Sequence, residues 1–239
     1  DPRTCAGLGA KLPVMSGACV GIVGGLGVEA TIHYYKAITA AFKGRPAPRL
    51  LIAHADVDRG LAYVRAGEVD KLGAYLASLV NQLADGGAEA VAIPAVTPHL
   101  CIAEVKRLSR VPLISIMDEI AAELRRRGLA RVAAFGTRFT VESGLFGPVP
   151  GVSFAQPTPE EIDTIHDSYF TIVDTGRLGA DRIAGLRAIA HRLCRDEGAE
   201  AILLAGTELA LVFDEANAGF PAVDCTRLHL EAIVRRLAG

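Results

Sequence analysis

The chain has 239 residues, enough for one large domain or two small ones, and 51% of it is hydrophobic, so either arrangement has an adequate core. With 25 Lys and Arg against 27 Asp and Glu, there is no overall basic field to hold nucleic acid. Five cysteines, at 5, 19, 101, 194 and 225, are odd in number and lack CxxC spacing. They read as reduced thiols of a cytoplasmic protein, not as a disulfide framework or a zinc site.

No apolar run reaches the roughly 18–20 residues of a membrane span. Residues 1–14 lack the order of a signal peptide, and Met15 followed by SGACVGIVGG reads as a natural start. The first fourteen residues are therefore expected to be an extension or a remnant. Beyond them, short apolar runs alternate with amphipathic stretches. Strands are expected at 19–25, 49–55, 90–95, 111–116, 132–137, 201–206 and 221–224, because their near-continuous Val, Ile, Leu and Ala content suits parallel strands covered on both faces. Helices are expected between them, at 28–42, 69–85, 99–109, 117–128, 158–171 and 180–196. That alternation predicts a doubly wound parallel α/β sheet.

A repeat divides the chain. GAEAVAIPAVTPHL from Gly87 matches GAEAILLAGTELAL from Gly198, an offset of 111. VGIVGGLGVE from Val20 parallels VAAFGTRFTV from Val132, and VPLISIMDEI from Val111 parallels FPAVDCTRLH from Phe220, at offsets of 112 and 109. Three matches in one order predict an internal duplication into two pseudo-symmetric lobes. The first lobe is expected to comprise 15–116 plus 220–239 and the second 117–219, the C-terminal segment packing back on the first. In open α/β sheets a ligand sits beyond the carboxyl ends of the strands. Two facing copies put equivalent strand ends on opposite sides of one cleft, as a reaction that moves a proton between two faces of a carbon requires.

GIVGGLGVEATIHYY (21–35), Asp58-Arg59, IPAVTPH (93–99), FGTRFTVESGLF (135–146), LAGTEL (204–209) and VDCTRLH (223–229) occur in an order that resembles the aspartate/glutamate racemase superfamily, nearest to its aspartate racemase branch. The resemblance covers nearly the whole chain from Val20. It implies a cofactor-independent, metal-free isomerase that acts at the Cα of an amino acid through two opposed cysteines, and a homodimer. The positions matching those cysteines are Ala95 and Gly206. Neither side chain can titrate, so the two-thiol mechanism does not carry over.

The resemblance makes Thr97 and Thr207 ligands of a substrate carboxylate, although both also suit helix N-caps. It gives the same role to Arg59, whose fork matches a carboxylate. Gly25 and Thr137 are equivalent by the internal repeat, which places both at the cleft border. Glu208 and His99 are the ionisable groups beside the lost cysteines and the candidates for acid–base work. A first-turn helix carboxylate and a structural histidine are the competing roles. Asp174 stands where some aspartate racemases carry a lysine for the side-chain carboxylate, which favours a modified or amidated substrate. Cys225 is the one thiol near an expected strand end, and a buried structural role is expected for it.

Three rival functions are kept open. Gly25-x-Gly27-x-x-Ala30 follows a strand and opens a helix, the pattern of a dinucleotide site, but the acidic residue expected at the end of the second strand is absent. Loss of both thiols also fits a lyase or decarboxylase, or a small-carboxylate-binding protein without activity.

Overall fold

The computed structural model describes residues 17–143, 145 and 149–239. The expected extension over 1–14 and Cys5 lie outside the described residues. The first sheet contains β1 (Cys19–Gly24), β2 (Arg49–His54), β3 (Ala90–Ala92) and β4 (Leu113–Ile114), all parallel, in the order β2-β1-β3-β4. The second contains β5 (Arg131–Phe135), β6 (Ser153–Phe154), β7 (Ala201–Leu204) and β8 (Ala222–Asp224), also parallel, in the order β6-β5-β7-β8. Chain order and spatial order are therefore related in the same way in both sheets.

Both faces of each sheet are covered, which is why the strands are apolar on both sides. Val132 and Ala134 of β5 face one core, and Ala133 and Phe135 face the other, as period-two alternation requires. On the first sheet, α3 (Val69–Asp85) packs on one face through Leu76, Val80 and Leu83. It lies so close that a Cβ at Gly21 would stand 3.0 Å from Leu83. The other face of that sheet is covered by α1 (Val28–Ala41), with Tyr34 and Ile38, and by α9 (Cys225–Ala238), with Ile233 and Leu237. On the second sheet, α7 (Pro159–Thr175) and α8 (Ala180–Asp196) cover one face and α5 (Ile116–Arg127) the other.

The two halves exchange their last helices. α5 follows a strand of the first sheet but buries Ile116, Ile120 and Leu124 against Val132, Leu203 and Val223 of the second. α9 follows a strand of the second sheet and ends on the first. Each of those fully buried side chains contributes about 1.5–3 kcal/mol, so the exchange fastens the sheets together. β8 pairs with β7, so the return to the first sheet starts at Cys225 rather than at 220.

A buried polar link strengthens the same seam. His229 of α9 donates from Nε2 to the Ile114 carbonyl of β4 at 2.8 Å, and its Nδ1 accepts from the Tyr34 hydroxyl at 3.0 Å. Both ring nitrogens are used by the neutral tautomer, and burial lowers the His229 pKa to about 3.

The strands end earlier than their apolar runs. β3 stops at Ala92 and β7 at Leu204, because the following residues leave the ladder to build loops. At β3 the break is enforced by Pro94, which has no N–H to donate. The stretch expected as one helix from 99 is a 3₁₀ turn, Thr97–Cys101, followed by α4 (Ile102–Leu108). Two short helices were not expected: α2 (Val57–Arg65), capped by Asp56, and α6 (Arg138–Glu142), capped by Thr137.

Candidate active site

The ends of β1, β3, β5 and β7 converge. Thr97, just past β3, has its hydroxyl 3.4 Å from that of Thr137 and 3.2 Å from that of Thr140, both just past β5. Thr137 and Thr140 are themselves 2.9 Å apart, and the Thr137 hydroxyl accepts the Thr140 N–H as the N-cap of α6. Three hydroxyls from two sheets thus meet at one point. Thr97 and Thr137 are half-buried, open enough to turn a hydroxyl outward. Thr207, past β7, crosses the other way, its hydroxyl 3.5 Å from the Pro94 carbonyl.

Neither Thr97 nor Thr207 caps a helix with its side chain; the cap positions are Val96 and Gly206. Thr207 instead donates to Glu208 Oε2 at 3.0 Å. The same carboxylate oxygen accepts from the hydroxyl of Tyr169, which reaches it from α7. Glu208 is only 2% exposed and its hydrogen bonds come from hydroxyls. Its other oxygen presses on Gly27 at the start of α1, where any Cβ would overlap it. Burial first, then the neighbouring Glu208 charge, holds the Tyr169 phenol well above its ordinary range.

The turn after β1 is shaped for this approach. Gly25 has φ +86°, a conformation that favours glycine, and an added Cβ would lie 2.7 Å from the Ala55 carbonyl and 2.8 Å from His54. Thr31 pins the turn by accepting the Gly25 N–H at 3.0 Å and donating to the Gly27 carbonyl at 2.8 Å. The Glu208 side chain fills the space beside Gly27 at the helix N-terminus, where a dinucleotide's diphosphate would have to sit, so the glycine pattern gains no support here.

The remaining expected residues lie as follows. His99 is 3% exposed and donates from Nδ1 to the Ala95 carbonyl at 2.8 Å, bracing the turn after β3. Burial lowers its pKa to about 4, so the ring is neutral at pH 7. Arg59 is not drawn to the threonines: its guanidinium lies 4.6 Å from the Tyr75 ring centre and donates to the Tyr63 hydroxyl at 3.2 Å, on an exposed turn of α2. Ala95 is half-buried, two residues before Thr97. Asp174 is exposed in the last turn of α7. Cys225 is fully buried, with its thiol pushed well above the ordinary range by burial.

Sequence reasoning missed Tyr169 and Thr140. Thr140 follows the Thr137 cap at a spacing of three and could have been found that way. Tyr169 could not: nothing in DSYF (167–170) shows that it crosses to a glycine 37 positions on. Among the described residues no cluster of His, Cys, Asp and Glu could hold a metal ion. A cavity of about 690 Å³ opens elsewhere, against His33, Ala37, Asp224, Leu230 and Val234 of the α1–α9 face. The strand ends are taken as the candidate site, in preference to that surface groove, because the loops after β1, β3, β5 and β7 meet there and Thr97, Thr137, Thr140 and Thr207 make contacts between the two halves.

Fold and geometry together define a two-sheet parallel α/β protein whose facing strand ends bring polar side chains of both halves into contact. Residues 23–233 match the model of the Asp/Glu/hydantoin racemase family, and the chain belongs to that family. A candidate Asp/Glu racemase from Yersinia pestis is similar over 93% of this chain and 100% of its own, at 20% identity and a TM-score of 0.82. An aspartate racemase homologue from Pyrococcus horikoshii OT3 is similar over 92% and 99%, at 24% identity and a TM-score of 0.79. Unliganded arylmalonate decarboxylase shares the fold more distantly, over 93% of each chain, at 14% identity and a TM-score of 0.51.

Proposed function

We propose that the chain is a racemase-like isomerase that makes and quenches an enolate at the Cα of a small carboxylate, an amino acid or a derivative of one, without a cofactor and without the thiol pair. The observation that carries this reading is the meeting of three threonine hydroxyls and a buried glutamate at converging strand ends. The hydroxyls of Thr97, Thr137 and Thr140 bond to one another and can each redirect a proton to a carboxylate oxygen. Glu208 supplies the group that takes and returns the proton, assisted by Thr207 and Tyr169. Arg59, parked on Tyr75, is a cation on a long arm that can swing to a bound anion.

One observation favours a second reading. Every group able to exchange a proton with substrate stands on the β7 side, whereas the β3 side offers Ala95 and a neutral histidine tied to a carbonyl. Proton traffic on a single face suits a decarboxylation or an elimination, after which one acid quenches one face of the enolate. The shared fold of arylmalonate decarboxylase supports that chemistry as an alternative.

The described cysteines are free and suit a reducing, cytoplasmic setting. Among the described residues no helix is long and apolar enough to cross a membrane. Val28, Ile32 and Tyr35 form an exposed apolar stripe on α1 that suits the contact of a homodimer. The test of the reading is deuterium wash-in by NMR with wild-type protein in D2O and a panel of L- and D-aspartate, glutamate, their amides and N-substituted aspartates. Wash-in at Cα supports it, and faster wash-in than inversion selects the one-faced carrier. Absence of wash-in and of product across the panel contradicts it.

A further inference from the structure

Gly206 has no backbone reason to be glycine. Its φ of −114° and ψ of 127° are ordinary extended values that any residue adopts. What it lacks is room: an added Cβ would overlap Cε2 of Tyr169 and stand 2.7 Å from Cδ2 and 3.0 Å from Cζ. The ring therefore fills the volume into which a side chain at 206 would project. It is 8% exposed and is held edge-on by Phe170, with centroids 5.7 Å apart. Its hydroxyl is aimed by the Glu208 carboxylate.

Building on the function proposed above, we propose that Tyr169 is the catalytic side chain on the β7 face of the cleft, relaying the substrate proton to and from Glu208. In the forward step the Cα–H bond breaks and the phenolic oxygen takes that proton. The phenol's own proton passes in concert to Glu208 Oε2, which becomes a neutral carboxylic acid. The electron pair of the broken bond stays on the carbon and is delocalised into the substrate carboxylate as an enolate. The return step reverses each transfer. No free phenolate forms beside the glutamate, so the high proton affinity of this phenol is no obstacle. Tyr169 and Gly206 are on this account a coupled pair, the ring replacing a short acid at 206.

The experiment compares deuterium wash-in by wild type and Tyr169→Phe on the same panel, with circular dichroism and thermal melting to confirm the fold. Phenylalanine keeps the ring over Gly206 and removes only the hydroxyl. The expected result is a fall in kcat of about 100-fold or more with KM held within about threefold. Wild-type wash-in with Tyr169→Phe within about threefold overturns this inference and leaves the proposed function standing. A wild-type protein inactive on the whole panel overturns both. Should Tyr169→Phe not fold, 3,5-difluorotyrosine at 169 keeps ring and hydroxyl but makes the phenol more acidic. The basic limb of the pH–kcat profile then moves to lower pH, and an unmoved limb overturns the inference.

Discussion

At the end of β3 the chain runs Pro94, Ala95, Val96, Thr97; at the end of β7 it runs Ala205, Gly206, Thr207, Glu208. Both stretches leave a parallel strand, enter a 3₁₀ turn and send a threonine toward the opposite half. They differ in what else they carry. Around β3 the nearby titratable group, His99, is buried, neutral and spent on bracing its own turn. Around β7 a buried carboxylate gathers a phenol and a hydroxyl. On the function proposed above, one end of this shared framework grips an anion and the other moves a proton. Position in the fold does not by itself assign chemistry; the burial and partners of each group do.

Acidification should separate the two ends most strongly. His99 and His229, both on the first-sheet side, have folded-state pKa values of about 4 and about 3, below the ordinary 6.5. The unfolded chain therefore binds protons first. Stability present above pH 6.5 is lost as pH falls through that value toward about 4, on the order of 3 kcal/mol for each ring by the latter pH. Urea unfolding of His99→Gln at pH 7.5 and 4.5 should show a smaller drop than wild type. An equal drop would mean that His99 is not held neutral by the fold.

Next in size is Glu208→Gln, expected to lower the wash-in rate by about 100-fold, equivalent to about 2.7 kcal/mol. Thiols introduced at the two equivalent positions then sharpen the contrast. Gly206→Cys forces a Cβ into the Tyr169 ring and should cost about 1–3 kcal/mol of stability by denaturant titration. Ala95→Cys sits at a half-buried position and should stay within about 0.5 kcal/mol. Equal effects at 95 and 206 would erase the asymmetry. The smallest kinetic change is expected for Thr97→Ala, a rise in KM of about tenfold with kcat nearly intact, from loss of one hydrogen bond to a charged ligand.

Much of the fold was legible in the sequence because strand content and helix periodicity are local properties. The runs ending at Gly25, Ala95 and Gly206 announced buried parallel strands, and GAEA before β3 and again before β7 announced matching halves. The expected lobe bounds put 117–128 with the second half and the C-terminal segment with the first, whereas the contacts that carry α5 across, from Ile116, Ile120 and Leu124, were not readable. At the site, Thr97, Thr137, Thr207, Glu208 and Gly25 were readable at strand ends, and the structure brings the first two into contact. Arg59 and His99 were readable as residue types, yet their side chains are engaged by Tyr63 and Tyr75 in one case and a carbonyl in the other. Tyr169 was invisible because its place over Gly206 and against Glu208 comes from the packing of α7 on the turn after β7, which no local pattern in the sequence announces.

The division of labour between the two strand ends is tested most directly by saturation kinetics of Cα deuterium wash-in for Thr97→Ala and Glu208→Gln, measured side by side on whichever panel member the wild type exchanges fastest. The account predicts that the threonine change moves KM and the glutamate change moves kcat. A loss of kcat at Thr97 with Glu208→Gln at wild-type rate would contradict it.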